Sequence, residues 1–151
     1  MGEVVFTADD GVHGTELWVT DGTAAGTRQL ADIRPGAGAS NPIDLTVDGS
    51  LVYFAANDGT GAELWRTDGT AAGTFALSTP ANGAGAQMIT PVGHSIFYAG
   101  SDSSHGNGLF VSDGTVAGTH FLGAFTNVSG LTALGNGLIF QATDAAHGSE
   151  L

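Results

Sequence analysis

Short apolar runs alternate with acidic, glycine-containing turns along the chain, and this pattern repeats. Each run is rich in β-branched and aromatic residues, which is typical of strands. Four such runs align with one another, at residues 4–8, 51–55, 95–99 and 138–142. No segment shows a helical period with caps, and the nearest candidate, 23–25, stops at Gly26. The sequence therefore predicts an all-β fold.

A twelve-residue motif follows each of the first three runs. Its copies begin at positions 16, 63 and 108, and a fourth starts at 150, so the spacings are 47, 45 and 42 residues. The first two copies read ELWVTDGTAAGT and ELWRTDGTAAGT, and the third has decayed to GLFVSDGTVAGT. The positions that recur are Glu16, Trp18, Asp21, Gly22, Glu63, Trp65, Asp68, Gly69, Phe110, Asp113, Gly114 and Glu150.

One complete unit contains four predicted strands, at 43–47, 51–56, 63–67 and 74–77, with a tight-turn signal at Asp48-Gly49. Four short antiparallel strands in about 45 residues is the size of one propeller blade. We therefore predict a β-propeller-like array of four-stranded antiparallel blades, with about three repeats of 42–47 residues. The predicted boundaries are a partial blade at 1–30, blades at 31–77 and 78–122, and a partial blade at 123–151.

Stacked neighbours must bury the faces that one blade cannot bury alone. We expect the aromatic row of Trp18, Trp65 and Phe110 to lie between blades, with the leucine that precedes each on the opposite face. An unstacked face would then expose apolar side chains such as Leu17 or Leu109. Slightly more than three blades is fewer than the ~4–8 of closed propellers, which favours self-association or further blades of the same protein.

The charge and the residue composition exclude several classes of binding partner. The net charge is −12, and the three cations are Arg28, Arg34 and Arg66. Nucleic-acid binding requires a basic surface, so we predict no nucleic-acid partner, and an anionic membrane would also repel the chain. Cysteine is absent, and no apolar run is long enough to span a bilayer, so we expect neither disulfides nor membrane insertion.

The motif Glu-Leu-Trp-x-x-Asp-Gly-Thr-x-x-Gly-Thr resembles the ELWxxDGT repeat family of large bacterial proteins. The similarity extends into 32–36, 40–42 and 45–46 and covers essentially the whole chain, although the third unit departs from it. The resemblance implies a propeller-like repeat fold and a secreted or cell-surface location in a bacterium. It implies no reaction and no catalytic residues.

Three sets of acidic residues are candidate sites, and each also has a structural explanation. The Asp-Gly-Thr row resembles the Asp-box hairpins of sialidase-type propellers, but a residue that recurs in every unit is better explained as a turn-former. The recurring Glu16, Glu63 and Glu150 could suggest glycoside hydrolysis, but we expect them to bind backbone or threonine groups. The remaining loops offer weak Ca²⁺ candidates, which are Asp10, Asp58, Asp102 and Asp144.

We expect those loops to be Asp-capped turns, three of them with a histidine packed on the turn, because histidine is a poor Ca²⁺ ligand and none has EF-hand spacing. No catalytic, cofactor or metal site is therefore predicted, with Ca²⁺ as the alternative. The predicted function is a non-enzymatic extracellular scaffold or interaction module that could self-assemble. The alternatives are a carbohydrate-binding propeller, for which glycans would be the partners, and a fragment of a larger secreted enzyme.

Overall fold

The computed structural model describes residues 2–78, 85–144 and 148–151. Within those ranges every regular element is a strand and none is a helix, which confirms the predicted all-β fold. No helix in the described part has the length and apolarity needed to cross a bilayer. The strands form four antiparallel sheets, and each is a simple meander in chain order.

The sheets follow one another along the chain. Sheet 1 contains β1 (Val4–Asp9), β2 (Thr15–Thr20) and β3 (Arg28–Ala31). Sheet 2 contains β4 (Ile43–Asp48), β5 (Leu51–Asn57), β6 (Ala62–Thr67) and β7 (Phe75–Ala76). Sheet 3 contains β8 (Gln87–Val92), β9 (Ser95–Asp102), β10 (Gly106–Ser112) and β11 (His120–Ala124). Sheet 4 contains β12 (Thr126–Leu134), β13 (Gly137–Asp144) and β14 (Gly148–Glu150).

A two-residue hairpin follows β4, β8 and β12. Its first residue is Gly49, Gly93 or Gly135, with φ of 60°, 63° and 59°, as a type II′ turn requires. Each of these three strands also has a register shift five residues before the glycine, where a single residue has positive φ. These residues are Asp44 (58°), Met88 (54°) and Gly130 (63°). The threonine two residues later donates a hydrogen bond to the carbonyl of each, at 3.1, 2.9 and 3.0 Å respectively.

The sheets stack face to face through two apolar layers. Between sheets 1 and 2, Leu17 and Val19 pack in one buried cluster with Phe54, and Trp65 packs against it. Between sheets 2 and 3, a second cluster joins Leu64 and Leu77 with Ile96, Tyr98 and Phe110. In each layer a leucine face of one sheet covers the aromatic face of the next.

The first strands of neighbouring sheets also lie side by side, because β4 contacts β8 and β8 contacts β12. Asp44 links two of them, since its Oδ2 accepts a hydrogen bond from the Ile89 amide at 2.8 Å. The Thr46 hydroxyl proton, donated to the Asp44 carbonyl, is shared with the Ile89 carbonyl, whose oxygen lies 3.3 Å from Thr46 Oγ1. One edge strand each of sheets 2, 3 and 4 is thus held against the corresponding strand of its neighbour.

The strand pairing corrects the sequence alignment of the repeats by one residue in the first and last units. Trp65 is paired with Phe54 on the neighbouring strand, and Trp18 is paired with Phe6 in the same way. The equivalent of Phe6 is therefore Phe54, whereas the sequence alignment matches Phe6 to Tyr53. The cause is the loop between the paired strands, which is one residue shorter in the second unit. Because side chains alternate between faces, this shift decides which residues are buried.

The expectation that Leu17 or Leu109 lies on an open face is wrong. Leu17 is 0% exposed and Leu109 is 5% exposed, because sheet 2 covers the first and sheet 4 contacts the strand carrying the second. The face of sheet 1 that no other described sheet covers is instead the one that carries Phe6 and Trp18; both side chains are half-buried, and their ring centroids are 6.5 Å apart. Sheet 4 is the least packed, and Ile139 on it is 39% exposed.

We predict that Trp65→Ala lowers the free energy of unfolding by roughly 3–5 kcal/mol, as truncation of a packed aromatic usually does. Trp18→Ala is the matched control, because Trp18 occupies the same repeat position and is also half-buried, but no other described sheet packs against it. Its cost should be clearly smaller when urea midpoints are compared at low protein concentration. Equal midpoints for the two variants would contradict the stacking described above.

Candidate functional site

The most conspicuous recurring polar feature is the Asp-Gly-Thr turn between the third and fourth strands of a unit. In sheet 2, Asp68 Oδ1 accepts hydrogen bonds from the Thr70 amide at 2.9 Å and the Thr70 hydroxyl at 2.6 Å. Thr70 Oγ1 then accepts from the Gly73 amide at 3.0 Å. The hydroxyls of Thr67 and Thr74, at the two ends of the turn, lie 2.7 Å apart. The carboxylate is therefore engaged inside its own turn.

The same network occurs at Asp21 in sheet 1 and at Asp113 in sheet 3, with every bond within 0.1 Å of its counterpart in sheet 2. Hydrogen bonds from the turn threonine lower the pKa of all three aspartates. The glycines that follow them, Gly22, Gly69 and Gly114, have φ of 90°, 89° and 84°. These observations support the structural interpretation of the row.

One of these turns is also an inter-sheet contact. The Arg66 guanidinium on sheet 2 donates from Nη1 to the Gly114 carbonyl of sheet 3 at 2.8 Å. The same guanidinium lies over the Phe75 ring at 4.6 Å, within cation–π distance. Val19 occupies the equivalent position in sheet 1, so this link is specific to one junction.

Glu16 is a buried carboxylate with a full set of donors. It is 0% exposed. Oε2 accepts hydrogen bonds from the Ile33 amide at 3.0 Å and the Ser40 hydroxyl at 2.6 Å, and Oε1 accepts from the Ser40 amide at 3.0 Å. Glu16 lies on β2, and these bonds hold the connection between β3 and β4 against that strand. Its partners are backbone and hydroxyl groups, which supports the structural interpretation over a hydrolytic carboxylate.

Glu63 occupies the same position in sheet 2 and is 3% exposed. Burial raises the pKa of its carboxyl from 4.5 to about 7, and the charge of Asp58 acts in the same direction. The third unit has Gly108 here, and a side chain at Gly108 would collide with the Gly123 carbonyl. Glu150 lies exposed on β14. The recurring glutamates therefore have three different environments and form no catalytic pair among the described residues.

The two described loops with the Asp-x-x-His pattern, at Asp10 and Asp102, are self-capped turns. Asp10 Oδ1 accepts from the amides of Val12 and His13, both at 2.8 Å, and Asp10 Oδ2 lies 2.7 Å from His13 Nδ1. The backbone bond from His13 is the main reason that the pKa of Asp10 falls to about 2. The hydrogen bond to Asp10 raises the pKa of His13 in turn. The pair forms a local ion pair when the histidine is protonated.

The other weak Ca²⁺ candidates have similar environments. Asp102 lies 2.9 Å from His105 Nδ1, and although burial raises its pKa, the bonds from His105 lower it overall. Asp58 accepts from the Thr60 amide and hydroxyl. Asp144 ends β13, and the loop that follows, 145–147, lies outside the described residues. Among the residues that are described, no three His, Asp or Glu side chains form a group able to hold a metal ion.

The strongest candidate for an interaction surface was not identified from the sequence. It is the outer face of sheet 1, defined here by Phe6 and Trp18. The same cross-strand pair recurs as Phe54–Trp65 and Tyr98–Phe110, with centroids 6.4 and 5.2 Å apart, and both of those pairs lie between sheets. The recurring aromatic residues in the sequence indicate such a face. The register of β1 against β2, which places Phe6 beside Trp18, is seen only in the strand pairing.

We predict that Gly73→Ala destabilises the fold by on the order of 1–3 kcal/mol, because the added Cβ would collide with the Asp68 carboxylate and open the turn. Gly137→Ala is the control, since its Cβ would meet only the Leu134 carbonyl at 3.5 Å. Urea denaturation of both variants measures the difference. A Gly73→Ala midpoint equal to that of the control would show that the network is not needed.

The raised pKa of Glu63 predicts a pH dependence of stability. The folded state holds the proton more tightly than the unfolded state, so the contribution of Glu63 is favourable below about pH 4.5 and is lost as pH rises through about 7. Glu63→Gln removes this titration. Its stability relative to the parent should therefore increase between pH 5 and 8 in urea titrations. A difference that does not change with pH would contradict the assignment.

A scan against protein-family models finds no match to this chain, and a search of curated proteins finds none that matches it. Functional inference therefore depends on the geometry above and on the twelve-residue motif.

Proposed function

We propose that the chain is a β-propeller-like, non-enzymatic module of a secreted or surface protein of a bacterium, and that it serves as a scaffold and interaction surface. The support for a propeller-like array is the meander order of each sheet, the face-to-face stacking, and the lateral contacts of β4, β8 and β12. The support for the setting is the resemblance of the repeated motif to the ELWxxDGT family.

The support for a non-enzymatic role is the use of the recurring acids. The carboxylates of Asp21, Asp68 and Asp113 bind their own turns, and Glu16 binds the connection between two sheets. A residue required in every unit serves the fold of every unit, whereas catalysis requires a single constellation. The fragment-of-an-enzyme alternative would place its active site in residues other than these.

One observation carries the interaction role. The Phe6–Trp18 face is the repeat equivalent of the Phe54–Trp65 face, which the Leu17 face of sheet 1 covers. A leucine face of the same repeat therefore fits it. Sheet 4 presents such a face with Ile139, which is 39% exposed. We propose a second copy of the chain as the occupant, with sheet 4 of one copy on sheet 1 of the next.

This head-to-tail contact is heterologous, so it produces a ring if the rotation closes and a filament if it does not. Each copy carries a net charge of −12, so the copies repel one another at low ionic strength. The contact itself is apolar and insensitive to screening. We therefore expect association to strengthen as salt is added.

Light scattering on the purified chain tests the proposal. At micromolar concentration and moderate salt, we expect a mass of two or more copies. Trp18→Ser should shift the distribution toward the monomer, because it places a hydroxyl in the apolar contact. Val116→Ser is the control, since Val116 is 61% exposed and lies in a turn away from this face. A folded monomer at every salt concentration would refute the proposal.

A further inference from the structure

A cavity of about 310 Å³ lies where sheets 2 and 3 meet, and it is called the junction cavity here. Its wall includes Ile43 and Ala55, which pair across sheet 2 beside the bulge of β4. A second cavity of about 190 Å³, at the junction of sheets 3 and 4, is lined by Gln87 and Ala99, which pair across sheet 3 beside the bulge of β8. The two cavities therefore occupy equivalent positions in the repeat.

Small residues, mainly alanines, line the floor of the junction cavity. The five alanines that line it are Ala39, Ala55, Ala56, Ala62 and Ala86. Ala55, Ala56 and Ala86 are each only 3% exposed, so this part of the lining belongs to the packed core. Because no long side chain rises from it, the floor leaves a shallow apolar surface on which the C–H face of a small ring can lie.

The rim of the cavity is polar. Asn41, Asn57, Gln87 and Arg34 line it. The side-chain amides of Asn41 and Gln87 are exposed, and in the described part of the chain neither makes a hydrogen bond. Asn57 uses its carbonyl oxygen to accept from the Gly59 amide at 2.7 Å, which leaves its NH₂ group as a donor. Amide donors and acceptors thus surround an apolar floor, which is the pattern expected of a small-molecule site.

Charge distinguishes this cavity from the rest of the surface. The chain has fifteen acidic residues and a net charge of −12, yet none of the described lining residues carries a carboxylate. Arg34 is its only cation, and no described carboxylate lies within ion-pair distance of Arg34. The one hydrogen bond of its side chain in the described part of the chain, from Nη1 to the Ala39 carbonyl, is long at 3.5 Å. The guanidinium is therefore available for an anionic group.

We propose that the junction cavity binds one sugar-acid residue, a hexuronic acid unit of a polysaccharide. The ring would lie on the alanine floor, its hydroxyls would pair with the amides of Asn41 and Gln87, and its carboxylate would bind Arg34. Arginine is suited to this role because its planar guanidinium can donate two parallel hydrogen bonds to a carboxylate. The cavity is at the lower end of the size range of ligand pockets, which favours a single ring. This site goes beyond the scaffold role and does not depend on self-association.

Calorimetric titration with D-glucuronate tests the site, with methyl glucoside and acetate as the neutral-sugar and bare-carboxylate comparisons. We expect saturable binding of one glucuronate per chain, because the cavity between sheets 3 and 4 has no cation. Methyl glucoside and acetate should each bind roughly tenfold or more weakly, since each provides only part of the recognised chemistry. Acetate binding as tightly as glucuronate would overturn the sugar assignment, and no glucuronate binding would overturn the site.

Variants locate the binding. Arg34→Gln should weaken glucuronate binding roughly tenfold or more. Arg28→Gln is its matched control, because it makes the same charge change on an exposed residue of β3 and should leave the affinity unchanged. Asn41→Gly is a second variant, since Asn41 has φ of 46°, which glycine adopts freely, and only the amide is lost. Equal losses for Arg34→Gln and Arg28→Gln, or full affinity in Asn41→Gly, would refute the proposed site.

Discussion

The stacking of a leucine face on an aromatic face is the interaction on which the rest of the structure depends. A sheet of three or four short strands has two faces and cannot bury both of them by itself. Sheet 2 solves this by packing Phe54 and Trp65 against sheet 1, and Tyr53 and Leu64 against sheet 3. Sheet 4 has only part of such cover, and its strands are accordingly the most exposed. Stability therefore resides in the junctions rather than in the sheets.

Local turn chemistry keeps the faces in register for this stacking. The Asp-Gly-Thr network closes the third and fourth strands of a unit with the same bonds in three sheets. The bulges of β4, β8 and β12 turn each first strand toward its neighbour, and Asp44 uses this geometry to bind the Ile89 amide. Most of these hydrogen bonds lie within a single unit, so each unit fixes the register of its own strands.

The sequence predicted the strands and the Asp-Gly-Thr turns because their chemistry is repeated letter for letter. It could not predict the bulges, since the residues with positive φ are Asp44, Met88 and Gly130, which share no chemistry. The register of Phe6 was also missed, because a loop that differs by one residue between units is invisible to an alignment of apolar runs. The junction cavity was missed for a related reason, since its lining comes from two units and from separate strands of each.

The repeat itself separates structural residues from candidates for specificity. A group that recurs in equivalent contacts, such as Asp21 and Asp68, satisfies a requirement of every unit. A group that occurs once has no such explanation. Arg66 is a single occurrence with two structural partners, Gly114 and Phe75, and it strengthens one junction. Arg34 also occurs once, but it has only a long bond to the Ala39 carbonyl and borders a cavity. The Arg34 guanidinium has no carboxylate partner among the described residues, although the chain is acidic. Packing and turn formation give no reason for it to border this cavity, whereas recognition of an anionic ligand does.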